Sequence, residues 1–142
     1  MAKNLEIYRC SDCGYMLEVV DSRQKNAESH THTCDDAAIS CCGKEMKLLE
    51  ANTVEASAEK HLPVAAFEED HKLVVKVGSV PHPMIAEHYI QWVCLVYGET
   101  TQRIKLEAGQ APEATFCIGD VTEVDIYEYC NLHGLWKSTI KK

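Results

Sequence analysis

The sequence has no apolar run that approaches the roughly 20 residues a membrane-spanning helix requires. Its N-terminus, MAKNLEIYRC, contains neither an apolar segment nor a cleavage site of a secretory signal. A basic tract is also missing, and the net charge of −8 argues against nucleic acid as a partner. We therefore expect a soluble, cytoplasmic protein that binds neither membranes nor nucleic acids.

Cysteine, by contrast, is plentiful, since the 142 residues include eight cysteines. In a reducing compartment these are poorly explained as disulfides, and their clustering favours metal ligation. A chain of this length can form one compact domain or a larger domain with a small appendage. Residues 1–50 contain two tight cysteine pairs and little apolar sequence, so we expect a small first domain that a metal ion stabilises.

The two pairs are Cys10 with Cys13, in YRCSDCGY, and Cys41 with Cys42, in ISCCGKEM. A C-x-x-C turn can place two thiolates on one metal ion. Adjacent residues on a strand point to opposite faces, so Cys41 and Cys42 can share an ion only from a turn-like backbone, which Gly43 permits. Four thiolates suit zinc and iron equally well. A thioredoxin-like redox pair is disfavoured because the expected βαβ pattern is missing.

Between the two pairs lies the polar stretch DSRQKNAESHTHTCDDAA, which reads as a loop. Its HTHTC segment places His30, His32 and Cys34 at alternate positions, where an extended chain would put them on one face. These side chains could join a metal ion. The polar surroundings favour the alternative, exposed loop residues with incidental metal affinity.

The second part of the chain, residues 51–142, has the pattern of an antiparallel β domain. Short alternating segments separated by Gly and Pro predict a sandwich or barrel. The segment at residues 89–97 is apolar on both faces, which predicts a central strand. The predicted strands are KLVVKV, HYIQWVCLVY, RIKLEA, ATFCI and VDIYEY.

A second group of possible ligands lies in this part. His82 and His88 are six residues apart and can share an ion only from a loop, which Pro81 and Pro83 favour. Cys130 and His133 follow the last predicted strand, where a turn could bring both to one ion. We interpret His71 as a surface residue. Cys94 and Cys117 are interpreted as small buried apolar residues, and Met84 as a packing residue.

The order of these motifs resembles that of desulfoferrodoxin, the two-iron form of superoxide reductase. The motifs are YxCxxCG, CCGxxM, EKHxP, HPMxxxHYIxW and CNLHGxW, at residues 8–14, 41–46, 59–63, 82–92 and 130–136. The resemblance implies a desulforedoxin-like domain over residues 1–50 and an immunoglobulin-like β-sandwich over residues 51–142. It also implies two iron ions per chain. An Fe(Cys)4 centre would use Cys10, Cys13, Cys41 and Cys42, and an Fe(His)4(Cys) centre would use His61, His82, His88, His133 and the axial thiolate of Cys130.

The same resemblance implies one-electron reduction of superoxide to hydrogen peroxide, without release of oxygen, at a ferrous centre with an open sixth position. Lys60 would guide the incoming anion, and Glu59 would be a carboxylate that reaches the metal after oxidation. A rubredoxin-like electron donor and a homodimer are also implied. The stretch between Cys13 and Cys41 is longer than is usual in this family.

Three other functions are compatible with parts of this pattern. A structural zinc protein could use the cysteines to fold and the β domain to bind a partner. An electron-transfer protein would need only the first centre. A dismutase would also oxidise superoxide at the same iron, and oxygen evolution separates it from a reductase.

Overall fold

The computed structural model describes residues 4–21 and 39–142. The HTHTC segment, with His30, His32 and Cys34, lies outside the described residues. The chain divides into two compact units, one over Leu5–Leu49 and the other containing Glu50–Lys142. Within the described ranges, no helix has the length and apolar character needed to cross a membrane.

The first unit is built from very short strands. A three-stranded antiparallel sheet has the order β2-β1-β5, and β3 pairs with β4 in a separate hairpin. Among the residues of this unit that the structure describes, the buried apolar side chains are Leu5, Ile7, Cys10 and Met46. So small a core favours a unit that needs a metal ion for stability. The strands are β1 (Ile7–Arg9), β2 (Met16–Glu18), β3 (Ser40–Cys41), β4 (Lys44–Glu45) and β5 (Lys47–Leu48).

The second unit contains one short helix and seven strands. Three strands form a sheet of order β10-β7-β6, and four form a sheet of order β12-β11-β8-β9. Every pairing in the two sheets is antiparallel. The elements are α1 (Ala58–His61), β6 (Pro63–Glu68), β7 (Lys72–Val77), β8 (Ile90–Tyr97), β9 (Thr100–Lys105), β10 (Glu113–Cys117), β11 (Glu123–Cys130) and β12 (Gly134–Lys141).

The core of this unit lies between the two sheets. In β7, Leu73, Val75 and Val77 are buried while Lys72 and Lys76 are exposed, which is the alternation of a strand with one face inward. Strand β8 is central in its sheet, as its apolar pattern predicted. The predicted mainly β, immunoglobulin-like sandwich is thus confirmed. Its core residues are Leu73, Val75, Val77, Ile90, Val93, Leu95, Leu106, Ala114, Phe116, Ile118, Val124, Ile126 and Cys130.

The structure differs from the predicted strands in three respects. The strands β6 and β12 were not predicted, and neither was the short helix α1. The prediction that Cys117 is buried is wrong. Ala114 and Phe116 of β10 face the core, so the alternation of the strand turns Cys117 outward to solvent.

Candidate metal centres

The first imidazole of the larger site is held by the helix α1. His61 is the last residue of α1 and is 2% exposed. Its Nδ1 lies 2.7 Å from the carbonyl oxygen of Ser57. A carbonyl oxygen only accepts hydrogen bonds, so Nδ1 carries the ring proton and Nε2 of the neutral ring is bare. The local backbone therefore aims the lone pair of His61 Nε2 away from its own helix.

His82 is held in the same manner by a loop. It is 3% exposed, and its Nδ1 donates a hydrogen bond to the carbonyl oxygen of Pro83 at 2.6 Å. The backbone N–H of His82 donates to the carbonyl of Val77 at 2.8 Å, which ties the loop to the end of β7. Burial lowers the pKa of His82 to about 4, so this ring is neutral near pH 7 and its Nε2 is also bare.

The two bare nitrogens face each other. Nε2 of His82 lies 3.2 Å from Nε2 of His61. Burial also lowers the pKa of His61, with the charges of His133, His88 and Lys60 acting in the same direction. The Nδ1 protons of both rings point away from this contact, so two buried lone pairs face each other, and Nδ1 of His133 lies 3.0 Å from the same His61 Nε2. A cation between them would satisfy both, and this is the local evidence that the residues fit a metal ion.

Four imidazoles form a closed ring. The ring centroids of neighbours are 4.7, 4.6, 5.0 and 4.8 Å apart in the order His61, His82, His88, His133 and back to His61. The centroids of His61 and His88 are farther apart, at 6.4 Å, as expected for opposite corners of a square. The buried Nε2 of His88 has no hydrogen-bond partner among the described residues, so it too is available to a metal ion.

Cys130, at the end of β11, is the fifth possible donor. It is fully buried, and its Sγ lies 3.8 Å from Nδ1 of His133. Burial raises the pKa of this thiol, while hydrogen bonds from the backbone amides of Leu132 and His133 lower it. A metal ion would shift the balance further towards the thiolate. The donor atoms of His61, His82, His88, His133 and Cys130 all lie within 4.8 Å of one another.

Two charged residues precede His61. Glu59 and Lys60 are both exposed. The charge of Lys60 contributes to lowering the pKa of His61 and of His88, after the larger effect of burial. Lys60 is therefore close enough to act electrostatically on two corners of the imidazole ring. The backbone carbonyl of Glu59 accepts hydrogen bonds from Val80 N–H at 3.0 Å and from the Ser79 hydroxyl at 3.2 Å.

The smaller site brings the four predicted cysteines together. Cys13 Sγ lies 3.5 Å from Cys41 Sγ, and Cys41 Sγ lies 3.9 Å from Cys42 Sγ. Within the described part of the chain every cysteine is free of disulfides. Hydrogen bonds from backbone amides, chiefly that of Cys13, lower the pKa of Cys10 to about 7. The ligand atoms of Cys10, Cys13, Cys41 and Cys42 all lie within 4.8 Å of one another.

The adjacent cysteines are accommodated by the predicted turn-like backbone. Cys41 pairs with Lys44 across the hairpin, with Cys42 and Gly43 as the turn residues. Their φ values are +53° and +73°. Positive φ at both central residues is the signature of a type I′ turn, which is costly for Cys42 and easy for Gly43. The turn changes the direction of the chain between the two sulfurs, so both can reach one ion.

The other candidates lie outside both groups. His71 is exposed and pairs with Asp120 at 3.1 Å, in agreement with its interpretation as a surface residue. Cys94 is buried, as expected. Met84 packs against the core, and its sulfur accepts a hydrogen bond from Ile90 N–H at 3.4 Å.

The roles of three residues around the larger site were not predicted from the sequence. Trp136 stacks on the His61 ring at 4.9 Å and donates a hydrogen bond from Nε1 to the His133 carbonyl at 3.1 Å. Asn131 bonds to the loop that carries His88. Glu128 is fully buried without a hydrogen-bond partner among the described residues, and burial raises its pKa. In β11 every second residue faces the core, and Val124, Ile126 and Cys130 are buried in this way. Glu128 lies at the same alternate positions, so the pattern of the strand could have predicted that it is buried.

Comparison with known proteins relates the whole chain to one group. Residues 53–139 match the model of the Desulfoferrodoxin family. A desulfoferrodoxin from Syntrophotalea carbinolica is 42% identical over 139 residues, which cover 97% of this chain and 98% of that protein. The crystal structure of the superoxide reductase from Treponema pallidum has a TM-score of 0.71 and 33% identity, and covers 96% of this chain and 99% of that one. A superoxide reductase (1Fe-SOR) from Giardia intestinalis, with a TM-score of 0.52 and 27% identity, covers 59% of this chain and 99% of its own.

Proposed function

The chain belongs to the desulfoferrodoxin family, and from this premise we propose that it is a superoxide reductase. The proposed reaction joins one superoxide, one electron and two protons to give hydrogen peroxide, without release of oxygen. Ferrous iron bound at the larger site would supply the electron. Its proposed ligands are His61, His82, His88, His133 and Cys130.

The observation that carries the proposal is that the donor atoms of four imidazoles and one thiol all lie within 4.8 Å of one another. Structural zinc sites are almost always four-coordinate, so a five-donor set speaks against a purely structural zinc ion. Nitrogen and thiolate donors together suit a redox-active iron. The alternative of a zinc-stabilised binding module would leave the fifth donor and the ring of imidazoles without a role.

The charge of the site favours a small anion as substrate. Four neutral imidazoles and one thiolate would leave a ferrous site with a net charge of about +1. Cys130 belongs to the buried core, whereas His88 and His133 are half-buried. Solvent and substrate must therefore reach the imidazole ring from the side away from the core. Superoxide is small and anionic, which fits both features.

Lys60 is proposed to attract and hydrogen-bond the incoming anion. The net charge of the protein is −8, which would repel superoxide at long range. At physiological salt such forces are screened beyond about 8 Å, so charges beside the site decide the local field. Lys60 is exposed, adjoins His61 and acts electrostatically on two imidazoles. Glu59 is proposed as the carboxylate that occupies the substrate position after oxidation.

The smaller site is proposed to hold a second iron ion through its four thiolates. A rubredoxin-like protein is proposed as the electron donor, and a homodimer as the assembly, both on the basis of family resemblance. The two sites differ in kind, because the smaller one offers four sulfur donors and no imidazole. Such a site suits electron storage or transfer, whereas the five-donor site suits reaction with a ligand.

The deciding experiment mixes the fully reduced, iron-loaded protein with superoxide in a rapid-kinetics instrument. One equivalent of hydrogen peroxide per reduced larger centre, with no oxygen evolved, supports a reductase. Oxygen evolution in steady state would instead indicate a dismutase. A colourless protein that contains zinc and no iron, and does not react with superoxide, would refute the proposal and favour the binding module.

A further inference from the structure

Asn131 uses every polar group of its side chain on one short loop. Its Oδ1 accepts a hydrogen bond from Tyr89 N–H at 2.9 Å, and its Nδ2 donates to the carbonyl of Glu87 at 3.0 Å. Its own backbone N–H also donates to the Tyr89 carbonyl at 3.3 Å. Glu87 and Tyr89 are the residues on either side of His88. Asn131, the residue after Cys130, thus holds the backbone on both sides of the proposed ligand His88.

His88 depends on support of this kind. His61 and His82 are each oriented by a ring hydrogen bond to a carbonyl oxygen. Within the described chain, the His88 ring makes no hydrogen bond of its own. The paired backbone hydrogen bonds between Ile85 and His88, both 3.1 Å, close the loop on itself but do not connect it to Cys130. The direction of the His88 ring is therefore set through its backbone.

The regular sheet does not provide the connection either. The pairing of β11 with β8 shifts register between Tyr129 and Cys130, where Tyr129 pairs with Trp92 and Cys130 with Ile90. The ladder is therefore irregular at the point where Cys130 must be placed relative to His88. The hydrogen bonds of Asn131 begin immediately beyond this irregularity and continue the connection between the two segments.

We propose that Asn131 is a positioning residue for the larger metal centre, which fixes His88 relative to Cys130 through the backbone of residues 87–89. This role rests on the proposed metal site. Without the side-chain amide, residues 87–89 would keep one hydrogen bond to Asn131, from its backbone N–H to the Tyr89 carbonyl. The imidazole would then adopt a wider range of positions, and the metal would be held less tightly. Asn131 itself does not touch the reacting atoms.

The test compares Asn131→Ala with Asn52→Ala. Asn52 is a matched control because its side-chain amide makes the same pair of bonds, donating to the Lys137 carbonyl at 3.1 Å and accepting from Lys137 N–H at 2.9 Å. Those bonds tie down a strand segment that carries no proposed ligand. Both variants are loaded with iron as full-length protein. Iron retention at the larger centre against a graded chelator and the thiolate-to-iron charge-transfer band of the oxidised protein are then measured.

We expect Asn131→Ala to lower iron affinity at the larger centre on the order of tenfold and to shift or broaden its charge-transfer band, as loss of an outer hydrogen bond does at other metal sites. The bands of the four-cysteine centre should not change. Asn52→Ala should lower the unfolding temperature without altering either centre. Asn131→Gln is the second variant, because its amide is one methylene longer and its polar atoms are displaced from Glu87 and Tyr89.

Wild-type affinity and an unchanged band in a folded Asn131→Ala or Asn131→Gln protein would overturn the inference. Equal spectral changes in Asn52→Ala would also overturn it, because the effect would then be one of general stability. If wild-type protein itself shows no iron-thiolate band from the larger site, it is the proposed function that fails. If the wild type has that band and reacts with superoxide while the Asn131 variants match it, only the role of Asn131 is refuted.

Discussion

Nε2 of His61 lies 3.2 Å from Nε2 of His82, and neither nitrogen carries a proton. Each ring donates its single N–H, at Nδ1, to a backbone carbonyl oxygen. The hydrogen bonds that orient the rings therefore also leave the two Nε2 lone pairs facing each other. The second unit therefore directs both nitrogens towards a position where one metal ion could bind them.

Bound metal should stabilise the protein through His82. We expect addition of ferrous iron to metal-free protein to raise the unfolding temperature of the wild type strongly and that of His82→Gln much less. A hundredfold loss of affinity would remove about 2.7 kcal/mol of the stabilisation at saturating metal. His71→Gln is the control, because His71 is exposed and lies outside both metal groups. Calorimetry with and without iron gives the comparison, and equal increases in His82→Gln and wild type would contradict the assignment.

Cys130 should be the source of the charge-transfer band of the larger centre. We expect Cys130→Ser to abolish that band in the oxidised protein and to impair the reaction with superoxide, while the bands of the four-cysteine centre persist. Cys94→Ser is the matched control, since Cys94 is equally buried on the neighbouring strand but belongs to neither group. The measurement is visible absorption after oxidation. Persistence of the band in Cys130→Ser would assign it to another sulfur.

The sequence predicted the ligand types better than their arrangement. Adjacent Cys41 and Cys42 required a turn, and the positive φ values of Cys42 and Gly43 confirm it. The sequence could not predict the order of the imidazoles around the ring. That order depends on how α1, the His82 loop and the end of β11 meet in space, which is a property of strand register and not of residue spacing.

The residues that support the ligands were harder to predict for the same reason. Trp136 and Asn131 belong to the CNLHGxW motif, but the motif does not show their contacts, which join segments 75 and 42 to 44 positions apart. The strand β12 was missed although it pairs with β11 along its whole length. Local sequence motifs thus predicted which residues could bind metal. The residues that orient them could not be predicted, because their contacts depend on pairing between distant segments.

Gly78 should be essential for the position of His61. A Cβ atom at Gly78 would collide with the carbonyl oxygen of Glu59 and lie 3.0 Å from that of Leu62. We expect Gly78→Ala to displace α1, lower stability by about 1–3 kcal/mol and weaken iron binding at the larger centre. Ser79→Ala loses only a hydroxyl bond to the same Glu59 carbonyl and should cost less than about 1.5 kcal/mol. Denaturant unfolding and iron retention are measured for both variants. A Gly78→Ala protein with the stability and iron retention of the wild type would contradict the prediction, because α1 would then accommodate the added methyl group.

Glu59 should influence the oxidised protein only. If its carboxylate reaches the metal after oxidation, Glu59→Ala will alter the visible spectrum of the oxidised larger centre and leave the first step with superoxide nearly unchanged. Glu55→Ala removes an exposed carboxylate four residues earlier in the chain and is the control. Spectra of the two variants are recorded after chemical oxidation. An oxidised Glu59→Ala spectrum identical to that of the wild type would remove Glu59 from the site.

Lys60 should accelerate the encounter with superoxide. Its charge acts on His61 and His88, yet the side chain is exposed, so the effect depends on salt. The Debye length falls from about 30 Å at 0.01 M to about 3 Å at 1 M ionic strength. We expect Lys60→Ala to lower the bimolecular rate constant on the order of tenfold at low salt and to flatten its salt dependence.

Lys76→Ala separates this local effect from net charge. Lys76 is an exposed lysine on β7, and its loss changes the total charge by the same amount. If steering arises from the whole protein, both variants will slow the reaction equally, because each makes the net charge of −8 more negative by one unit. If the steering arises from charge beside the imidazole ring, only Lys60→Ala will slow the reaction. Rate constants measured across the salt range distinguish the two cases, and an unchanged rate in Lys60→Ala at low salt would exclude Lys60 from substrate capture.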